Sequence, residues 1–498
     1  MSKNIIICSD GTGNSGGLGS VTNVWRIFEA VKRDDENQNQ IAFYDDGVGT
    51  ESFKPLRLLG GAFGLGLARN VRQLYAEICG AYEPGDRIYY FGFSRGAFTV
   101  RTLLGWIMKA GLIDPSHCAD RSELDRLVKI SYKALRTEFK TIPQKKMTPD
   151  NSLALAGYQK QLHGKLFNLD SEQQASLAHF IGVWDTVDAV GFPVDIVASF
   201  WNNWIHQFKF PDHLLNEKVR NAYHALAIDD ERRTFHPQPW DELNVKETQN
   251  LHQVWFSGMH ANVGGGYPQD GMAMVSLVWI MNAAIEAGVK FTAGLETLYR
   301  DRANKMEKMY DSRSGLGVYY RFAPRNLEKL RNKYNLRELY LHPSVVERIK
   351  QAPQGYTPRH VPKQFKVWAA KEPDNSDASV LCEQVNLCLK KQGLSDVEEV
   401  GKLWDRIRSY LQLFFVIFTI SFVIGASSAN FFPNNEYLSL IGKVISLTDQ
   451  KVDWTKLTIQ AGVLTFVTFI LAALAERYGK TARSRFWKKV LVQLNSKH

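Results

Sequence analysis

The sequence predicts an α/β fold: a mostly parallel sheet with flanking helices, followed by a C-terminal two-helix transmembrane hairpin. Three observations predict it. Short apolar runs alternate with stretches of helical period through the first 290 or so residues, as expected when helices cover both faces of a parallel sheet. Gly and Pro-Gly turns punctuate those runs. Two long charge-free stretches then close the chain.

In chain order, Ile5 to Ser9 is a short apolar run ended by the glycine-rich DGTGNSGGLGS, which fits a buried parallel strand. Val24, Ile27, Phe28 and Val31 then recur at helical spacing, and Ile41 to Tyr44 is a second strand. Residues 59 to 66, LGGAFGLG, read as a flexible loop before a helix in which Ala68, Val71, Leu74, Tyr75 and Ile78 share one face. Pro84-Gly85-Asp86 turns the chain into a strand over Ile88 to Phe93. Ala97, Val100, Leu104, Ile107 and Ala110 mark the next helix, closed at Gly111. Residues 112 to 175 read as a helical, polar insertion; the sheet resumes at His179 to Trp184 and again at Val254 to Gly258. The domain reading is a catalytic part over 1–355, a polar connector over 356–400, a hairpin over 401–479 and a basic tail over 480–498.

The hairpin rests on hydropathy. Leu411 to Phe432 is 22 residues and Leu457 to Ala475 is 19 residues without a charge. As helices they measure about 28 to 33 Å, against a hydrocarbon core of about 30 Å. Lys402, Arg406 and Arg408 precede the first stretch, and Arg477, Lys480, Arg483, Arg485, Lys488 and Lys489 follow the second. By the positive-inside rule both termini and the catalytic part are cytoplasmic. Between the spans, Tyr437, Leu440, Ile441, Val444 and Ile445 recur at the spacing of an interfacial amphipathic helix. The net charge is +10, and the last 19 residues hold six Lys or Arg and no acid. Charge concentrated beside a span suits anionic headgroups rather than nucleic acid. Cys8, Cys79, Cys118, Cys382 and Cys388 are scattered, without CxxC spacing, and are read as reduced thiols rather than a metal site. No cofactor is called for.

The chemistry sits in Gly92-Phe93-Ser94-Arg95-Gly96. The pattern alone is weak; a preceding strand and a following helix make it a candidate nucleophile elbow, with a helix N-cap serine as the ordinary alternative. A nucleophilic serine needs a base, and the base an orienting acid. In the chain order Ser, acid, His, Asp185 at the end of HFIGVW is the candidate acid and Asp188 the fallback. His260 follows QVWFSGM and enters the glycine-rich ANVGGGY, which makes it the candidate base. His179 precedes the acid, while His224 and His236 sit in helical or proline-bounded contexts. The backbone at Gly11, Thr12 and Arg95 is placed to supply oxyanion donors. DGT at 10–12 lacks a phosphatase nucleophile because Cys8 stands where the first aspartate would be, and no GxxxxGK[ST] occurs.

IIICSDGTGNS, YDDGVGT, GGAFGLGLARNVRQLYAEICGAYEPGDRIYYFGFSRGAFTVR, FIGVWDTVDAVG, ALAIDDERRTFHPQPW and WFSGMHANVGGGYP, in this order, resemble the blocks of the α/β-hydrolase domain of type VI secretion phospholipase effectors and related microbial proteins. The resemblance spans about residues 1 to 290. It implies an α/β-hydrolase-like serine lipase or esterase and, from the best-understood members, phospholipase A activity. Ser94 carries over directly, and Asp185 and His260 by position within their blocks. The chain departs from the pattern at Asn262, where the family typically has an acid, and at Asp46, where proline is common. The expected function is a membrane-anchored hydrolase of glycerophospholipid acyl esters. A carboxylesterase on soluble esters is the alternative enzyme; a catalytically silent hydrolase fold acting through its hairpin, as an oligomer or on a regulatory partner, is the alternative of another class.

Overall fold

The computed structural model describes residues 2–11, 21–33, 39–46, 61–140, 157, 160–188, 213–313, 320–369, 376–428 and 453–495. The chain divides into two compact units, one of Met1–Ser312, Pro324–Gln354 and Gln364–Ser379, the other of Arg313–Ala323, Gly355–Lys363 and Val380–His498.

The first unit is built on eight strands, β1 (Asn4–Ser9), β2 (Gln40–Asp45), β3 (Arg87–Phe93), β4 (Phe180–Trp184), β5 (Asn221–Ala227), β6 (Asn250–Phe256), β7 (Tyr340–Leu341) and β8 (Lys366–Val367). Their spatial order is β2-β1-β3-β4-β5-β6-β7-β8, every neighbouring pair parallel. The strand order reverses between β1 and β3, and the carboxyl ends at such a switch point are where open α/β sheets bind ligands.

Strand alternation divides the core in two. Ile5, Ile7, Ile88, Tyr90, Ile181 and Val183 point to one face. There they meet α2 (Gly61–Ala81), α3 (Arg95–Ala110) and α4 (Arg121–Lys140). Ile6, Cys8, Tyr89, Phe91, Phe93 and Trp184 point to the other, against α1 (Asn23–Ala30) and α6 (Gly271–Glu286); α5 (His260–Gly264) is a short helix between β6 and α6. Burial on both faces explains the uninterrupted apolar strands, and apolar residues all round α6 explain why no amphipathic stripe marked it.

Several readings are corrected. Helix α2 begins at Gly61, inside the stretch read as loop, because a helix once nucleated extends at one hydrogen bond per residue through weak formers. The insertion after residue 112 is not simply polar: α4 sends Leu124, Leu127, Val128 and Tyr132 into the core. His224 lies in neither a helical nor a proline-bounded segment but on β5, which the sequence reading passed over. The stretch 356–400 contains β8 and α7 (Ser376–Lys391).

In the second unit, α8 (Lys402–Ser428) and α9 (Trp454–Asn495) pack together. Ion pairs join them, Arg408 to Glu476 at 2.8 Å and Arg483 to Asp405 at 3.2 Å, and Trp404 stacks on Tyr478. Gly425 lets the helices close up, since a Cβ there would lie 2.6 Å from Thr458 Oγ1. Both helices are long and apolar enough to cross a membrane. The basic residues 480–495 continue α9 as helix. The interhelical residues 433–452 of the expected amphipathic helix lie outside the described residues.

Candidate active site

Ser94 follows β3 and stands directly before α3, at the reversal of strand order. Its backbone is at φ 58°, ψ −120°, a conformation that costs energy for a residue with a Cβ and is held by its surroundings. Ser94 N donates to Trp184 O at 3.0 Å, and Phe98 N donates to Ser94 O at 3.3 Å. The flanking glycines are required by packing: a Cβ on Gly92 would lie 2.6 Å from Ala97 Cα, and one on Gly96 would overlap the Ser9 carbonyl of β1. The elbow is therefore pressed against the end of β1. Its hydroxyl side chain is not used as an N-cap.

Asp185 follows β4 immediately and is the second strained residue, at φ 41°; among described non-glycine residues only Ser94, Asn335, Ala352 and Gln354 share a positive φ. Its carboxylate is fully buried and accepts from His260 Nδ1 at 2.6 Å. Asp185, and not the fallback Asp188, is thus the partner of this imidazole. His260 opens α5 rather than lying in a loop, and its ring packs on Phe93 at 4.6 Å and edge-on to Phe235 at 5.0 Å. Gly264 makes room for Phe93, which a Cβ there would strike. His260 Nε2 is buried and has no hydrogen-bond partner among the described residues.

The electrostatics fix protonation. Burial raises the Asp185 pKa, but the Arg325 charge and the hydrogen bond from His260 outweigh it, holding the carboxyl far below the ordinary aspartate range. Burial pushes His260 down, and the Asp185 hydrogen bond only partly offsets it. At neutral pH the imidazole is neutral, with its Nδ1–H donating to the Asp185 carboxylate and its Nε2 able to accept.

Arg325 was not foreseen. Its Nη1 and Nη2 donate to the two Asp185 oxygens, each at 2.7 Å, and it also donates to Ala227 O and Phe235 O. In ALAIDDERR, Asp229 accepts from Gly258 N at 2.6 Å and Asp230 from His260 N at 3.2 Å, so they hold the loop that presents the histidine. Asp230 is itself paired with Arg232 at 2.7 Å; burial raises its pKa, but the Arg232 charge outweighs this and brings it to about 2. Asn262 turns Oδ1 to Met259 N at 3.2 Å and serves the start of α5.

The oxyanion candidates fare differently. Arg95 opens α3, where backbone N–H groups point past the helix end. Gly11 N already donates to Asp10 Oδ1 at 2.6 Å, and Thr22 and Tyr44 hydroxyls donate to Asp10 Oδ2 at 2.5 and 2.7 Å. Thr12 lies outside the described residues. Two of the other histidines are engaged elsewhere: His224 Nε2 accepts from Thr186 N at 3.1 Å, and His179 Nε2 lies 3.1 Å from Ala287 O.

Ser94, Asp185 and His260 are buried and follow the carboxyl ends of β3, β4 and β6 of a parallel α/β sheet, and of the three the structure joins Asp185 to His260 by a hydrogen bond. The chain belongs to the family described as T6SS, phospholipase effector Tle1-like, catalytic domain, whose pattern matches residues 3–283. Membership of a phospholipase effector family supports a lipid-hydrolysing function. The chain is also similar to an uncharacterized protein of Saccharomyces cerevisiae, 28% identical over 247 residues, covering 47% of this chain and 32% of the relative; it spans about a third of that relative's length. Among solved structures, an uncharacterized protein from Pseudomonas aeruginosa is similar at 14% identity and a TM-score of 0.32, covering 79% of this chain and 58% of that one.

Proposed function

We propose that the chain is a membrane-anchored serine hydrolase of the α/β-hydrolase type that cleaves acyl esters of glycerophospholipids. The observation that carries the proposal is the His260–Asp185 contact at 2.6 Å, with His260 Nε2 buried and without a hydrogen-bond partner among the described residues and the imidazole packed on Phe93, the residue before the strained Ser94. In this reading Ser94 Oγ attacks the ester carbonyl while His260 Nε2 takes its proton, and Asp185 holds the ring and stabilises the imidazolium. The tetrahedral oxyanion is held by the Arg95 N–H at the start of α3. Gly11 contributes once its N–H turns from Asp10. His260 then protonates the leaving alcohol, and water, deprotonated by the same nitrogen, releases the fatty acid.

The hairpin supports the choice of substrate. Phe466 is 65% and Phe469 50% exposed, and Phe414, Ile417 and Ile420 are likewise uncovered, whereas a core helix of a water-soluble protein would bury such side chains. Lipid is the solvent that satisfies them, and an anchored enzyme meets lipid esters at high effective concentration. The positive flanks support a cytoplasmic side for the catalytic unit and both termini.

The test is made on membranes from cells producing the full chain, washed with alkaline carbonate and supplied with labelled phospholipid or a short soluble ester. Chain retained in the washed membrane and releasing fatty acid and lysophospholipid is the expected result. Loss of the chain to the wash would refute the anchor, and turnover of the soluble ester alone would leave a carboxylesterase.

A pH profile tests the base. Because burial lowers the His260 pKa, the acid limb of kcat/KM is expected below pH 6.5, with activity flat through neutrality as the imidazole stays unprotonated. A limb above pH 6.5 would exclude this histidine as the group responsible.

A further inference from the structure

A cavity in the first unit lies away from the serine. It has a volume of about 410 Å³ against the face of α6, where Tyr223 of β5, His252 of β6 and Trp368, directly after β8, line it with Trp279 of the helix. Tyr223 stands four residues before the end of β5. At about 3.3 Å per residue that is roughly 13 Å from the catalytic end of the strand.

Its walls are aromatic and form a closed circuit. Tyr223 meets Trp279 at 5.3 Å and 66°, Trp279 meets Trp368 at 5.5 Å and 87°, Trp368 meets His252 at 6.4 Å and 85°, and His252 meets Tyr223 at 4.9 Å and 38°. Trp368 stands nearly perpendicular to both Trp279 and His252 and makes adjoining walls with them, while Tyr223 closes the circuit at steeper and shallower tilts. A cation within about 6 Å of each centroid can face several of them at once.

The charge of the lining has one sign. Glu286 is its only ionised residue, with the Asn282 amide beside it. The two histidines of the lining are both lowered by burial, His342 to about 3, and add no positive charge at neutral pH. Lys305, the cation whose charge is felt at His342, is paired with Glu347. Aromatic faces with one carboxylate and no unpaired cation suit a weakly hydrated organic cation far better than a metal ion or an anion.

We infer that this cavity is a binding site for a quaternary ammonium group, held by the faces of Tyr223, Trp279 and Trp368 and by the carboxylate of Glu286. The site is separate from the Ser94 centre and does not depend on its chemistry. The group could arrive on a soluble compound such as choline or on the headgroup of a choline lipid, and the chemistry recognised is the same.

The experiment uses the full chain in a maltoside detergent, which contains no ammonium group, titrated with tetramethylammonium, choline and monomeric short-chain phosphatidylcholine. Calorimetry and tryptophan fluorescence are the readouts. Saturable binding is expected, uncompeted by equal sodium, weakened about tenfold or more by Trp368→Leu and by Glu286→Gln, and kept by Ser94→Ala. Tighter binding of the lipid than of choline would assign the headgroup as the source, and the reverse order a soluble compound; either supports the site. Glu286→Gln changes an exposed side chain and keeps the test open should Trp368→Leu unfold. Absence of saturable binding to the wild type, or binding unchanged in both variants, would overturn the inference.

Discussion

Ser94→Ala is expected to lower phospholipid ester hydrolysis by a factor of about a thousand to a million, with the folded state unchanged. The size follows from what the hydroxyl does in the proposed mechanism: without it no acyl-enzyme forms, and only substrate binding and oxyanion donors remain to assist water. The folded state should survive because the strain at φ 58° is held by backbone bonds to Trp184 and Phe98 and by the packing of Gly92 and Gly96. A small residue keeps that backbone, whereas replacing either glycine forces the Cβ into Ala97 or Ser9. The check is product release measured with circular dichroism and a fluorophosphonate label on the same samples. Wild type should label and Ser94→Ala should not. Hydrolysis within tenfold of wild type in a well-folded variant would remove Ser94 from the chemistry.

How much of this site the sequence reveals depends on the distance over which each contact is made. The elbow is local: strand, Gly-x-Ser-x-Gly and helix are contiguous, and the structure places Ser94 where the pattern does. Asp185 and His260 are legible by chain order, because each directly follows or closely follows a strand of a parallel sheet whose carboxyl ends converge. Strand β5 was missed since NAYHALA carries three alanines and a histidine in place of the β-branched run that signals a strand; its burial between β4 and β6 decides its conformation instead. Strands β7 and β8 are two residues each, too short for any period. Arg325 leaves no local trace, because the carboxylate it serves is 140 residues away in the chain. Asp229 and Asp230 could have been suspected from the adjacent acids after an apolar run, a signal of a turn that holds backbone N–H groups.

Arg325→Met is expected to destabilise the fold by about 3 to 5 kcal/mol, because it leaves the Asp185 carboxylate buried without its charge partner. For a unit of this size that corresponds to a fall in Tm on the order of 10 °C. The activity should change in a way that simple destabilisation does not produce. Asp185 is held low because Arg325 and His260 outweigh burial; with the guanidinium gone, burial, the largest influence, raises its pKa. A protonated Asp185 no longer orients His260, so the acid limb of the rate should move to higher pH and activity should recover as pH rises. The sign on stability follows the same direction. A carboxyl with a depressed folded pKa contributes fully above its unfolded pKa and loses that contribution as pH falls through the folded one. The wild type therefore keeps the pair throughout the neutral range, while the variant loses stability as pH rises through the new, elevated pKa and the buried carboxyl must ionise alone. Stability and activity would then respond to pH in opposite directions in Arg325→Met, a signature that a packing role for the arginine cannot give. The double variant Asp185→Asn, Arg325→Met removes both charges and should regain part of the lost Tm while remaining inactive. If the single variant instead unfolds no earlier than wild type and keeps the wild-type pH limb, Arg325 does not position the acid.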